Sequence, residues 1–276
     1  MIETKTPILF FDTETTGILK NEKNEITSNG SMIQLAYRKL ENWEKTDDNL
    51  FFKTDTEIEI GSMAVHGIYP ELLEKKSGWK YLSDDVRESL SKIMSENIIV
   101  AHHIEFDRGV LEKEGISYTN KQIDTLKVAK VLWSEWVLKN SKWKEPEYVN
   151  LQYLRYFFEL YEIIDSDWVE ECTTAHDAFG DVIVLENVFY KLFNIIKNKL
   201  NISDEKVLEI MISMTNKEFI LIKTMRIGKY RGKSFEEVAK IDPGYLSWII
   251  GADFTEDIKY TCKVWLNQIE DRKFFS

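Results

Sequence analysis

Hydrophobic and polar positions divide this chain into segments of two periodicities. Residues 8–11, ILFF, form a short uninterrupted apolar run that predicts a buried strand. MIQLAYRKL (32–40) and NLFFKTD (49–55) read as a second and a third strand, with polar loops of hairpin type between them. WKYLSDDVRESLSKIMSEN (79–97) changes to helical spacing, with Ser83 placed to cap it and Asp84 and Asp85 in the first turn. IIVAH (98–102) predicts a buried strand, FDRGVLEKEG (106–115) a short helix ending on Gly115, and IDTL (123–126) a strand end leading into helix. Asn150 is a capping residue for VNLQYLRYFFEL. From His176 onward HDAFGDVIVLENVFYKLFNIIKNK predicts a long amphipathic helix, with Val182, Leu185, Phe189, Leu192 and Ile196 at core spacing. Three early strands followed by strand–helix alternation imply an α/β fold with a mixed sheet and helices on its faces.

The pattern changes character after this helix. Residues 198–221 read as a polar connector holding one short helix. Beyond them lies a compact stretch, IGKYRGKSFEEVAKIDPGYLSWI (227–249), and a last amphipathic segment, TEDIKYTCKVWLNQIE. We therefore expect a main domain over 1–197, a connector over 198–221 and a small module over 222–276.

Composition narrows the class. A chain of 276 residues with 43% apolar and 13% aromatic content can bury a sizeable core and is not disordered. The net charge of −11 argues against a passive nucleic-acid coat protein, which is normally basic. It leaves room for an enzyme that meets phosphate through bound cations. The charge is uneven: residues 222–276 carry ten basic and eight acidic residues. Cys172 and Cys262 are too few and too far apart for a disulfide framework or a cysteine-rich zinc site. No targeting segment and no run approaching a membrane span is visible, so a cytoplasmic protein without membrane contact is expected.

Candidate chemistry begins at FFDTETTGI (10–18), where two acids follow an apolar run. Residues two apart on a strand point to one face, so Asp12 and Glu14 stand side by side. Like charges that close repel unless a cation or proton is shared, or the pair is solvated at a strand end. Asp107 follows a buried strand and a turn, in the first turn of a helix. Asp181 lies five residues after His176. Five helical residues rotate by about 140°, so His176 belongs at or before the helix start, leaning over the same cleft. Four acids and one histidine could converge at one end of the sheet.

Together and in this order these segments resemble the DnaQ-like (DEDDh) family of 3′→5′ exonucleases. FDTETTG is similar to the family's first motif, AHHIEFD to its second, A-H-N-x-x-F-D, and HDAFGD to its third, H-x-A-x-x-D. VHGI (65–68) and IDT (123–125) also look like family segments. The resemblance covers roughly residues 5–195, with His103 standing where the family has Asn. It implies an RNase H-like mixed five-stranded sheet flanked by helices. It also implies two-metal hydrolysis with two Mg²⁺ or Mn²⁺, a role for which carboxylates are the right donors. On this reading Asp12 bridges the ions, Glu14 and Asp181 complete one site, Asp107 supports the other, and His176 is the general base. Backbone amides after the first motif would hold the terminal 3′ hydroxyl, which places Thr15, Thr16 and the apolar wedge Ile18 at the substrate. His66 and His103 are further candidate nucleotide contacts.

The last segment resembles the small α+β module at the C-terminus of exodeoxyribonuclease X-like proteins, through Gly228, Lys229, Gly232, Lys233, Phe235 and Asp242 through Trp248. Lys229 and Lys233, set among glycines, are candidate phosphate contacts. Tyr230, Phe235, Tyr245 and Trp248 are expected to form the module's core. The resulting expectation is a metal-dependent 3′→5′ exodeoxyribonuclease acting on DNA ends, single-stranded DNA foremost, with replication or repair proteins as partners. The alternatives are an exoribonuclease of the same superfamily, or a proofreading or nucleic-acid-binding partner of a polymerase.

Overall fold

The computed structural model describes residues 2, 4, 6–20, 26–78, 80–135, 146–161 and 178–274. Five strands form the main sheet: β1 (Ile8–Thr15), β4 (Met32–Glu41), β5 (Glu44–Phe51), β6 (Ile98–Ala101) and β7 (Gln122–Asp124). Their order is β5-β4-β1-β6-β7. β4 runs antiparallel to both β1 and β5, while β6 and β7 run parallel to β1 and to each other. This is the mixed five-stranded sheet the sequence implies. β2 (Ile18–Lys20) and β3 (Ile26–Asn29) form a separate hairpin.

Two differences from the periodicity reading have local causes. β1 does not stop at Phe11 but continues through both acids to Thr15, because β4 supplies ladder partners as far as Met32. The third strand starts at Glu44 rather than Asn49: a tight turn at Asn42 and Trp43, both at positive φ, brings β5 straight back along β4. The exposed, charged residues of EKTDD carry no apolar alternation, so only their pairing with β4 reveals the strand.

Helices cover both faces. On one lie α3 (Asp84–Glu96), its N-terminus capped by Ser83, and α4 (Ile104–Lys113), with Leu90, Met94, Ile104, Val110 and Leu111 packed on Leu9 and Phe11. On the other lies α7 (Ala178–Leu200), whose Phe189 meets Phe10 edge-on at 5.2 Å. Buried Arg38 of β4 ties that helix to the sheet: it donates to Glu186 at 2.9 Å and to Asp47 at 2.6–2.7 Å. The remaining elements are α1 (Ile60–His66), α2 (Pro70–Ser77), α5 (Thr125–Ser134), α6 (Leu151–Phe157) and α8 (Asp204–Thr215). The chain divides into two compact units, the first comprising Met1–Leu126 and Tyr148–Thr215, the second Lys127–Glu147 and Asn216–Ser276.

The second unit is built from α9 (Phe235–Ile241), α10 (Pro243–Gly251) and α11 (Glu256–Phe274) around Met225, Phe235, Val238, Leu246, Ile249 and Cys262. Its β component among the described residues is one antiparallel bridge between Thr224 and Ser234. Ser234 and Glu237 form a capping box on α9. Glu135 pairs with Lys217 and accepts from the backbone N–H of Leu221, which ties the end of α5 to this unit.

Candidate active site

Strand parity decides which acids meet. Along β1, Asp12 and Glu14 share the face of Phe10, toward α7, while Thr13 shares the face of Leu9 and Phe11, toward α4. Asp181 sits in the first turn of α7. Ligand atoms of Asp12, Glu14 and Asp181 all lie within 4.8 Å of one another, and all three side chains are half-buried. Asp107 is not one of this group. It reaches β1 from the α4 side, and its Oδ1 accepts from Thr13 N at 3.1 Å and Thr13 Oγ1 at 2.7 Å. His176 lies outside the described residues.

Asp107 is fully buried, and burial raises its pKa to about 7; the nearby charge of Asp124 adds to the rise, while the bonds from Thr13 oppose it. Asp124, at the end of β7, is a buried acid that sequence reasoning passed over as part of the IDT segment. Its Oδ1 accepts from His103 N at 3.0 Å and from Leu126 N at 2.9 Å, so it fixes both the entry to α4 and the start of α5. The signal that could have revealed it is an acid closing an apolar strand just before a helix.

His103 is exposed and left-handed, at φ 76°, ψ 52°, as the N-cap of α4. Asn tolerates that conformation better than most residues, which explains its place in the family motif in backbone terms. His102 sits half-buried: Thr125 Oγ1 donates to Ala101 O at 3.2 Å and accepts from His102 Nδ1 at 2.8 Å.

The turn after the acids is held from three sides. Thr16 N donates to Ser31 O at 2.9 Å, Gly30 N to Gly17 O at 2.7 Å, and Glu59 N to Thr16 O at 2.8 Å. Thr15 Oγ1 donates to Gly17 O at 3.1 Å. His66 is buried behind the turn. Its Nδ1 accepts from Ile68 N at 3.0 Å, so Nε2 carries the proton and donates to Thr15 O at 3.2 Å. Both nitrogens thus have roles in holding the turn. Ile18 stands 37% exposed just beyond it. Gly30, which the sequence reading did not single out, is packed so closely that a Cβ would lie 2.5 Å from Gly17 N and 2.6 Å from both Gly17 O and Thr16 Oγ1.

In the second unit the two glycine-containing motifs fold onto each other. Asp242 Oδ2 accepts from Tyr230 Oη at 2.7 Å and from Lys229 Nζ at 3.2 Å, and its Oδ1 accepts from Tyr245 N at 3.2 Å. The amides of Arg231, Gly232 and Lys233 donate to Gly228 O, Met225 O and Tyr230 O, so this loop directs those N–H groups inward rather than toward a phosphate. Gly228, at φ +67°, leaves room for the Tyr245 hydroxyl. Lys229 and Lys233 are exposed. Phe235 is core as expected, but Trp248 is 57% exposed. Leu246 and Ile249 take the inward positions of α10, leaving Trp248 stacked on Tyr245 at the surface.

Comparison with known proteins bears on this arrangement. The family model described as Exonuclease matches residues 9–189, and that described as Exodeoxyribonuclease X-like C-terminal matches residues 228–253. The chain is similar to exodeoxyribonuclease 10 of Escherichia coli (strain K12), at 24% identity over 216 residues, covering 78% of this chain and 82% of that protein. It is also similar to DNA polymerase III subunit epsilon of Buchnera aphidicola, at 29% identity over 136 residues, covering 45% of this chain and 54% of that protein. The match thus spans about half the length of the epsilon subunit. A solved structure of exonuclease X in complex with 5′ overhanging duplex DNA aligns with a TM-score of 0.44 at 18% identity, covering 74% of this chain and 99% of that chain.

Proposed function

Because the chain belongs to the exonuclease family, whose model matches residues 9–189, we propose that it is a DnaQ-like 3′→5′ exodeoxyribonuclease that releases nucleoside monophosphates from DNA, single-stranded DNA foremost. The observation that carries this reading is the convergence of Asp12, Glu14 and Asp181 beside the Thr15–Gly17 turn. Three carboxylates so close repel one another and favour a cation among them. An all-oxygen donor set of this kind suits Mg²⁺ or Mn²⁺, so the residues fit the ions the family uses.

Asp12 would be shared between two ions, with Glu14 and Asp181 completing one site and Asp107 supporting the other. Bound there, the ions supply positive charge to the attacking and leaving oxygens of the phosphodiester. The chain's own residues do the rest. His176 is the group to accept a proton from the attacking water, because an imidazole titrates near neutrality. The Thr15–Gly17 turn, fixed by Ser31, Glu59, Gly30 and His66, receives the 3′ end. Ile18, exposed beyond it, packs against the terminal base.

We assign the chemistry to residues 1–197, joined through 198–221 to an auxiliary nucleic-acid contact in 222–276. Similarity to exodeoxyribonuclease 10 over 78% of the chain favours DNA over RNA. In the auxiliary module, phosphate contact falls to side chains such as Lys229 and Lys233, since the loop amides are engaged internally. Among the described residues no helix is long and apolar enough to cross a membrane.

The test is product analysis on 3′- and 5′-labelled single-stranded DNA, duplex DNA and RNA, with and without EDTA. Mononucleotide release from DNA 3′ ends, abolished by EDTA, is expected. EDTA-resistant cleavage or internal cuts would overturn the reading. Hydrolysis of RNA alone would transfer it to the exoribonuclease branch.

A further inference from the structure

We propose that Gln152 is a positioning residue for Asp181, orienting its carboxylate for cation binding. The inference rests on the cation reading of Asp12, Glu14 and Asp181 given above, and goes beyond it by assigning a role to a residue outside the recognised motifs. Gln152 lies in α6, whose first turn is pinned by Asn150 accepting from Tyr153 N at 2.8 Å and whose Leu154 is fully buried. From that fixed helix the Gln152 side chain donates through Nε2 to Asp181 Oδ1 at 2.6 Å. Because the acceptor is a carboxylate, the bond is charge-assisted.

Asp181 is in the first turn of α7, and the chain preceding that helix carries His176. A carboxylate in such a place, facing two others within 4.8 Å, would swing away from its neighbours if nothing held it. The Gln152 amide opposes that motion. It donates to one oxygen and so fixes the plane of the carboxylate before any ion arrives. A carboxylate offers about four lone-pair directions over its two oxygens, so one accepted bond does not exhaust it. Ligand-orienting bonds of this kind typically contribute about 10–100-fold in metal affinity or activity.

The alternative is that the bond merely ties α6 to α7. The two roles separate experimentally. Mn²⁺ binding to the full chain, without substrate, is measured by calorimetry for the wild type, Gln152→Met and Asp181→Ala, together with thermal stability and with kcat and KM on single-stranded DNA. Met keeps the length, volume and helix propensity of Gln but cannot donate. Weaker Mn²⁺ binding by about 10-fold or more in Gln152→Met, with a lower kcat, little change in KM and partial recovery at high Mn²⁺, is the expected result. A lower melting temperature with unchanged Mn²⁺ affinity would overturn the proposal and leave only a structural tie. If Gln152→Met fails to fold, Gln152→Ala serves as the second variant, with the same expected and overturning results. Failure of the wild type itself to bind Mn²⁺ would overturn the cation reading, and this proposal with it. Wild-type binding that Asp181→Ala abolishes and Gln152→Met leaves untouched would overturn this proposal alone.

Discussion

Replacing Gly30 with alanine should disable the enzyme without touching an acid. The added Cβ would sit 2.5–2.6 Å from Gly17 N, Gly17 O and Thr16 Oγ1, 0.8–0.9 Å inside the 3.4 Å of ordinary contact. Two of those atoms are backbone, so no side chain can swing aside to make room. The segment between β3 and β4 that carries Gly30 must move off the turn, loosening Gly30 N to Gly17 O, Thr16 N to Ser31 O and Ser31 N to Thr16 Oγ1. Three weakened bonds at about 1 kcal/mol each, plus overpacking strain of about 1–3 kcal/mol, are offset by about 0.4–1 kcal/mol from a stiffer unfolded chain. The net loss is about 3–6 kcal/mol. A shift of about 1 Å in the turn proposed to receive the 3′ end is enough to cost roughly 100-fold in rate. Urea unfolding and kcat/KM on labelled single-stranded DNA measure both effects. Gly61→Ala is the control: nothing lies within 4 Å of its Cβ, so that variant should keep full activity and gain slightly in helix stability. A Gly30→Ala enzyme within twofold of wild-type kcat/KM would refute the assignment of the turn to the substrate.

Asp12→Ala should abolish hydrolysis with either Mg²⁺ or Mn²⁺ while leaving the fold intact; turnover near the wild-type level would sink the metal reading. In EDTA the stability of the protein should fall as pH rises from about 4 to about 7, because buried Asp107 holds its proton to about 7 in the folded state and only to the ordinary carboxylate range when unfolded. Asp107→Asn should come closest to the wild type in urea midpoint near pH 4 and exceed it at pH 8. Parallel pH profiles for the two proteins would remove Asp107 as the cause. His103→Asn should stabilise by roughly 0.5–1 kcal/mol through its easier left-handed backbone, visible as a raised melting temperature with activity retained. Lys233→Glu should weaken single-stranded DNA binding and flatten its salt dependence, which fluorescence anisotropy in EDTA would detect; an unchanged salt slope would exclude this lysine from the phosphate contact.

The sequence was most legible where one element carries its own signal. The apolar run before Asp12, Ser83 at the start of α3 and the long apolar stripe of α7 each depend on residues near in the chain. The charged strand β5 was less legible because its stability comes from β4, nine or more residues earlier at most of its positions. Trp248 was misplaced for a related reason: aromatic content predicts burial on average, yet Leu246 and Ile249 fill the inward face of the same short helix.

The candidate site shows the same division at higher stakes. Asp12, Glu14 and Asp181 could be picked out from motif spacing, and alternation along a strand foretells that the first two share a face. That alternation, followed one step further, also separates Asp107 from them. Thr13 lies between the two acids and faces the opposite side of the sheet, and it is Thr13 that Asp107 engages. On the proposed two-cation reading, a second site that uses Asp107 would be built around the strand's end rather than across its face. The residues that shape this end are Gly30, Asp124 and Gln152, each brought in from another element by packing that no local pattern records. Gly30 sets how close the hairpin comes to the turn, Asp124 the angle at which α4 leaves the sheet, and Gln152 the plane of Asp181. Acids alone define where cations can bind; on the proposed reading, these three residues would decide whether the carboxylates and the 3′ end meet there.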